Sequence, residues 1–174
     1  CSWTKDGQGF FYSRYSEPDE KDKYEAVNYF QKLYYHKLGT TQAEDVLVYE
    51  RADKKEWRFD GQVSDDGQHL VISVHLGTDP RNLIFYKNLK QDSAIIELIS
   101  EFVSNYTFIG NVGAALYFST DSNAPRGRVV SYDVARGEGL LNAEETIAQA
   151  SEALDGATLV GSHFIVSYLK DAHT

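Results

Sequence analysis

The sequence predicts an all-β protein assembled from a repeated four-stranded antiparallel unit, on three observations. A strand–turn–strand segment returns with a spacing of about 45 to 50 residues. A second, tighter hairpin pattern lies between its copies. The aromatic share is 13%, with 12 Tyr and 9 Phe, and such side chains favour the pleated, half-buried surface of a sheet.

The first pattern covers residues 32–50 (KLYYHKLGTTQAEDVLVYE), 82–100 (NLIFYKNLKQDSAIIELIS) and 128–146 (RVVSYDVARGEGLLNAEET). Each opens on an apolar and aromatic run, crosses a polar or Gly-containing turn and resumes with aliphatics. The second covers residues 3–15, 59–75, 106–119 and 157–169. In each a short strand meets a tight turn, and a more apolar strand follows. Asp6-Gly7 and Asp66-Gly67 supply turn dipeptides whose glycine takes a positive φ, and Asn111 to Gly113 and Gly161-Ser162 serve the later copies.

Joined, the two patterns make a four-stranded module repeated about three and a half times, the architecture of a partial β-propeller in a single domain. The blades run roughly over residues 1–50, 51–100 and 101–153, with a half-blade at 154–174 and about thirteen strands in all. The first copy lacks most of its opening strand and the last stops after its second. Runs such as LVISV and LIFY are apolar at almost every position, so both faces of those strands are covered, as when blades stack on their neighbours.

Two stretches depart from the pattern. Residues 16–31 (SEPDEKDKYEAVNYFQ) form a charged insertion, expected as a mobile surface loop. Residues 142–154 (NAEETIAQASEAL) have helical composition, with Ile147 and Leu154 seven apart; the alternative is an outer strand fraying into a polar loop.

A net charge of −9 and a pI near 5.0 argue against nucleic acid and anionic membrane as partners. No apolar run approaches bilayer-spanning length. Cys1 is the single cysteine, which excludes an internal disulfide and a multi-cysteine zinc site and suits a cytoplasmic setting, with a periplasmic or secreted one left open. Methionine is absent, position 1 included, so the chain reads as a mature product or an internal piece.

No catalytic residue, metal ligand or cofactor site is assigned. There is no G-x-S-x-G nucleophile elbow. His36, His69, His75, His163 and His173 have no partner spacing and read as packed or surface histidines. Asp65-Asp66-Gly67 lacks the following oxygen ligands of a calcium loop and reads as a turn. Gly110-Asn111-Val112-Gly113 lacks the third glycine and helix of a phosphate loop and reads as a hairpin.

The strings CSWTKDGQGFFYSRY, QKLYYHKLGTTQAEDVLVYE and EWRFDGQVSDDGQHLVISVHLGTDPRNLIFYKNL closely resemble the propeller of prolyl oligopeptidases. The match is specific from Cys1 to about Leu89 and continues beyond as strand pattern alone. The resemblance implies a serine peptidase that cleaves short peptides after proline, in which a seven-bladed propeller caps an α/β-hydrolase domain and restricts access. This chain would supply the gating propeller; nucleophile, acid and base would belong to the hydrolase domain, and the chain alone would be inactive. Loops at 51–58, 77–82, 100–105 and 120–127 would face that domain. The family lines part of its substrate pocket just after the Trp of a KW/EW element and inside a G-x-D-P turn, positions held here by Arg58 and Thr78. Mammalian members carry apolar or thiol side chains there, so Arg58 departs from the pattern, and both residues could equally be ordinary loop residues. A different class of function is a non-catalytic propeller acting as a protein- or ligand-binding platform. Self-association through the open edge at 164–169 or through apolar sheet faces is expected of the isolated chain.

Overall fold

A computed structural model describes residues 1–15, 28–91, 93–135 and 143–171. Fourteen strands are present among them, in chain order: β1 (Ser2–Trp3), β2 (Gly9–Arg14), β3 (Lys32–Lys37), β4 (Val46–Tyr49), β5 (Trp57–Val63), β6 (His69–Leu76), β7 (Asn82–Asn88), β8 (Ile96–Ile99), β9 (Tyr106–Val112), β10 (Ala115–Thr120), β11 (Arg128–Asp133), β12 (Glu144–Ile147), β13 (Ala153–Val160) and β14 (His163–Leu169). They form three four-stranded sheets, β1–β4, β5–β8 and β9–β12, and the pair β13–β14. Every pairing joins sequence neighbours and is antiparallel. This is a partial propeller of about three and a half blades.

The second sheet shows why its sequence is so uniformly apolar. Side chains alternate across a strand, and here each face meets a neighbouring sheet. Leu70, Ile72 and Val74 of β6, with Leu83 and Phe85 of β7, enter one core with Phe11 and Leu33 of the first sheet. Val71, Ile84 and Tyr86 enter a second core with Phe108, Leu116, Phe118 and Tyr132 of the third sheet. Tyr49 bridges the first pair of sheets, its ring 5.2 Å from Phe59 and 5.7 Å from Phe85. The β13–β14 pair rests more lightly on the third sheet, through Tyr117 against Phe164 at 5.0 Å.

The first two blades share one turn, built twice. The Thr4 and Ser64 hydroxyls each donate to an aspartate, Asp6 or Asp66, at 2.7 Å. Each carboxylate also accepts the amide of the glutamine two residues on, Gln8 or Gln68, at 3.0 Å. Gly7 and Gly67 close these turns at φ 69° and 70°, the left-handed region where an L side chain is strained. In the third blade the turn is tighter: Val112 pairs with Ala115 around Gly113-Ala114. Gly110 sits before it in β9, where a Cβ would lie 3.2 Å from Leu159. The two glycines of the stretch therefore serve a hairpin and a close packing contact.

The helical composition of residues 142–154 is not realised. Glu144–Ile147 is a strand, because β11 offers a free edge and takes Ile147, Glu145 and Glu144 opposite Val129, Val130 and Ser131. Backbone pairing to an existing sheet outweighs the weak intrinsic preference of a short segment. The count is fourteen, against about thirteen expected, because the opening strand of the first blade is present as the short β1. Most of the charged insertion (16–27), Asn142 and His173 lie outside the described residues.

Candidate functional site

Because the strands alternate in direction, the connections β4–β5, β6–β7, β8–β9 and β10–β11 all leave the sheets at one end. The β6–β7 turn at that end is held from three sides. Asp79 accepts both the Arg81 amide (2.9 Å) and its guanidinium (2.6 Å to Nη2), and this holds the Asp79 carboxyl down at about 2. The Asn105 amide donates to the Pro80 carbonyl at 2.6 Å. Asn82, buried, donates to the Tyr106 carbonyl (2.8 Å) and accepts the Tyr106 amide (2.7 Å), so the second and third blades are laced together directly beneath the turn.

Arg58 and the residue before Thr78 meet on this platform. Arg58, the second residue of β5, lies opposite His75 of β6, is exposed, and donates from Nη2 to the Gly77 carbonyl at 2.8 Å. Gly77 sits at φ 54°, and the exposed Thr78 follows it. Trp57, one residue before Arg58, is braced by the Phe102 ring at 5.9 Å and the Arg51 guanidinium at 4.8 Å. Arg51 is neutralised by Asp53 (2.8 Å), which holds that carboxyl at about 2. His75 lies 3.6 Å from Asp60; burial lowers its pKa, Asp60 opposes this and Arg58 adds to it. The arrangement can hold a ligand by hydrogen bonds and charge.

Sequence spacing did not reveal three other features. A cleft of about 290 Å³ opens at the same end between the third sheet and β13, lined by Asn105, Thr120, Asp121, Arg126, Leu154 and Asp155. A larger one, about 450 Å³, lies at the opposite end among Lys5, Asp6, Phe11, Tyr35, Asp66 and Lys90. His36 has a partner that spacing alone hid. A 3₁₀ turn (Gln42–Glu44) delivers Asp45 beneath it, with His36 Nδ1 2.7 Å from Asp45 Oδ1, and the Tyr12 hydroxyl donates to the other carboxylate oxygen. Burial pushes the Asp45 carboxyl up, but Tyr12 and His36 together leave it below the usual range. The aromatic rings of β2 and β3 stack around this network, Phe10 lying 5.1 Å from His36. It is a packing element of the first sheet. His69 is buried between sheets and His163 is exposed on β14.

The whole chain, residues 1–174, matches the family model described as the prolyl oligopeptidase N-terminal β-propeller domain. Among curated relatives, the prolyl endopeptidase of Elizabethkingia meningoseptica is 36% identical over 172 residues, 98% of this chain and 24% of its own length. The dual function macrocyclase-peptidase POPB of Galerina marginata is 32% identical over 143 residues, 78% of this chain and 19% of its own. The chain thus spans about a fifth to a quarter of the curated relatives it matches. A solved structure of prolyl oligopeptidase B from Galerina marginata, bound to a 35mer hydrolysis and macrocyclization substrate, superposes with a TM-score of 0.87 at 27% identity, over 98% of this chain and 24% of that one. Repeated blades, two-sided interior strands and an unbroken match from the first residue to the last agree: the chain belongs to the prolyl oligopeptidase N-terminal β-propeller family.

Proposed function

We propose that this chain is the substrate-gating propeller portion of a serine peptidase that cleaves short peptides on the carboxyl side of proline. The supporting observation is the family match along all 174 residues. In this reading an α/β-hydrolase domain of the same parent protein carries the nucleophile, acid and base. It faces the end of the blades that holds the β4–β5, β6–β7, β8–β9 and β10–β11 connections. Arg58 and Thr78 then stand on the rim of the substrate pocket, on a turn too firmly tied to sag when a peptide enters.

Hydrolysis of a blocked Gly-Pro amide tests this, using the whole parent protein beside the isolated chain. The parent should turn it over; the isolated chain should not, since acyl transfer needs an activated nucleophile and an oxyanion hole. A parent that binds peptides without cleaving them would instead indicate a binding platform. Turnover by the isolated chain that vanishes on replacing one of its own Ser, Cys or His residues would overturn the assignment of catalysis to another domain.

A further inference from the structure

The basic side chains around the candidate site are not equivalent. Arg51 is paired to Asp53 at 2.8 Å and lies 3.8 Å from Glu97. Arg81 is paired to Asp79 at 2.6 Å. Lys54 rests over Trp57, and Lys55 over Tyr29. Arg58 has no carboxylate within ion-pair distance among the described residues, although the chain carries 26 Asp and Glu against 17 Lys and Arg. The acid nearest along its strand face, Asp60, has its carboxylate 3.6 Å from His75. The single side-chain hydrogen bond of Arg58 among the described residues, from Nη2 to the Gly77 carbonyl, fixes the guanidinium without neutralising it. The remaining N–H donors of the fork are left for a ligand, on a turn whose next residue is the exposed Thr78.

An acidic chain that pairs its neighbouring arginines on their own turns, and leaves this one anchored but unpaired among the described residues, has a cation prepared for an incoming anion. A guanidinium offers two parallel N–H donors that match a carboxylate. Resting on the function proposed above, we propose that Arg58 reads a carboxylate on the peptide substrate, with Thr78 as its hydrogen-bonding neighbour, so that the peptidase prefers acidic proline-containing peptides. The carboxylate is either a Glu or Asp side chain close upstream of the proline or the free carboxyl terminus of a short peptide.

The test uses the whole parent peptidase and two matched pairs of peptides. One pair differs only by Glu or Gln upstream of the proline, placed one, two or three residues before it; the other differs only by a free or amidated carboxyl terminus. The readout is the ratio of kcat/KM within a pair. We expect about a tenfold preference for the charged member of one pair at low salt, equivalent to about 1.4 kcal/mol, shrinking as salt screens it. Arg58→Gln should bring that ratio to about one, while Arg58→Lys should keep part of it, because charge survives and the fork does not. Which pair responds identifies the source of the carboxylate. Ratios near one for both pairs in the unaltered enzyme, or a preference that survives Arg58→Gln, would overturn the inference while proline cleavage stands. If Arg58→Gln fails to fold, the salt dependence of the unaltered enzyme and the Arg58→Lys ratio still decide it. No cleavage of any of the peptides would overturn the underlying function, and the inference with it.

Discussion

His69 lies between the second and third sheets, 4% exposed, with Nδ1 lacking a hydrogen-bond partner among the described residues. Burial lowers its pKa, partly opposed by Asp66, and burial likewise lowers that of His75. The sign follows from linkage. Unfolded chains take up these protons near the ordinary imidazole value of about 6.5, before the folded protein does, so stability is fullest above that pH and falls as pH drops through it. For one group the slope is at most about 1.4 kcal/mol per pH unit. Thermal denaturation between about pH 7.5 and pH 5.5 should show a declining midpoint, and His69→Leu should flatten part of that decline. An unchanged slope would mean that His69 is not titrating on unfolding. At acid pH the opposite type of group takes over. Asp45, whose carboxyl is held low in the fold, contributes stability above the usual carboxylate range that is lost as pH falls through its folded value. Asp45→Ala should cost about 1–3 kcal/mol by leaving Tyr12 and His36 without their acceptor. None of this was legible from residue spacing, because Asp45 reaches His36 only through the 3₁₀ turn between β3 and β4.

Strand pairing and turns were readable because they depend on local chemistry. Asp6-Gly7 and Asp66-Gly67 impose their turn through a side-chain cap and one positive-φ residue, wherever the rest of the chain goes. The strand at Glu144–Ile147 fell inside the repeated strand–turn–strand pattern, but its helical composition competed with that reading; what decides it is register on the edge of β11, which local composition does not carry. Arg58 and Thr78 could be marked as a pair only through resemblance; what ties Arg58 to the turn is the Gly77 carbonyl, and no local rule aims that turn at Arg58. Two glycines give tests at this scale. A Cβ on Gly9 would lie 2.2 Å from the His36 carbonyl oxygen and 2.6 Å from the Tyr35 hydroxyl, so the β2–β3 ladder would have to part. Gly9→Ala should destabilise by about 2–4 kcal/mol, more than a typical surface substitution, in chemical denaturation. Gly127 combines φ 83° with a Cβ position 2.8 Å from Leu154 of β13, so Gly127→Ala should loosen the last pair of strands first. Hydrogen exchange would report it as faster exchange in β13–β14 with β5–β8 unaffected; uniform loss of protection would contradict the light attachment described here.

At the scale of the molecule, the two terminal sheets carry exposed apolar groups: Trp3 (51% exposed) and Val46 (59%) on the first sheet, Val160 (56%) and Ile165 (64%) on the last pair. Such surface favours association, and a net charge of −9 opposes it. The isolated chain should therefore associate more strongly as salt screens the repulsion, and Ile165→Asp should weaken that association. Sedimentation across protein and salt concentrations checks this; a monomer independent of both would show that these faces are not adhesive. The proposed gating role makes the stronger demand, since a cap that restricts access must discriminate by size. The most direct measurement is kcat/KM of the whole parent protein on one proline-containing site presented in peptides of increasing length and then in an exposed loop of a folded protein. A gating propeller should give efficient cleavage of the short peptides and none of the folded protein. Equal cleavage of the site in both settings would contradict it.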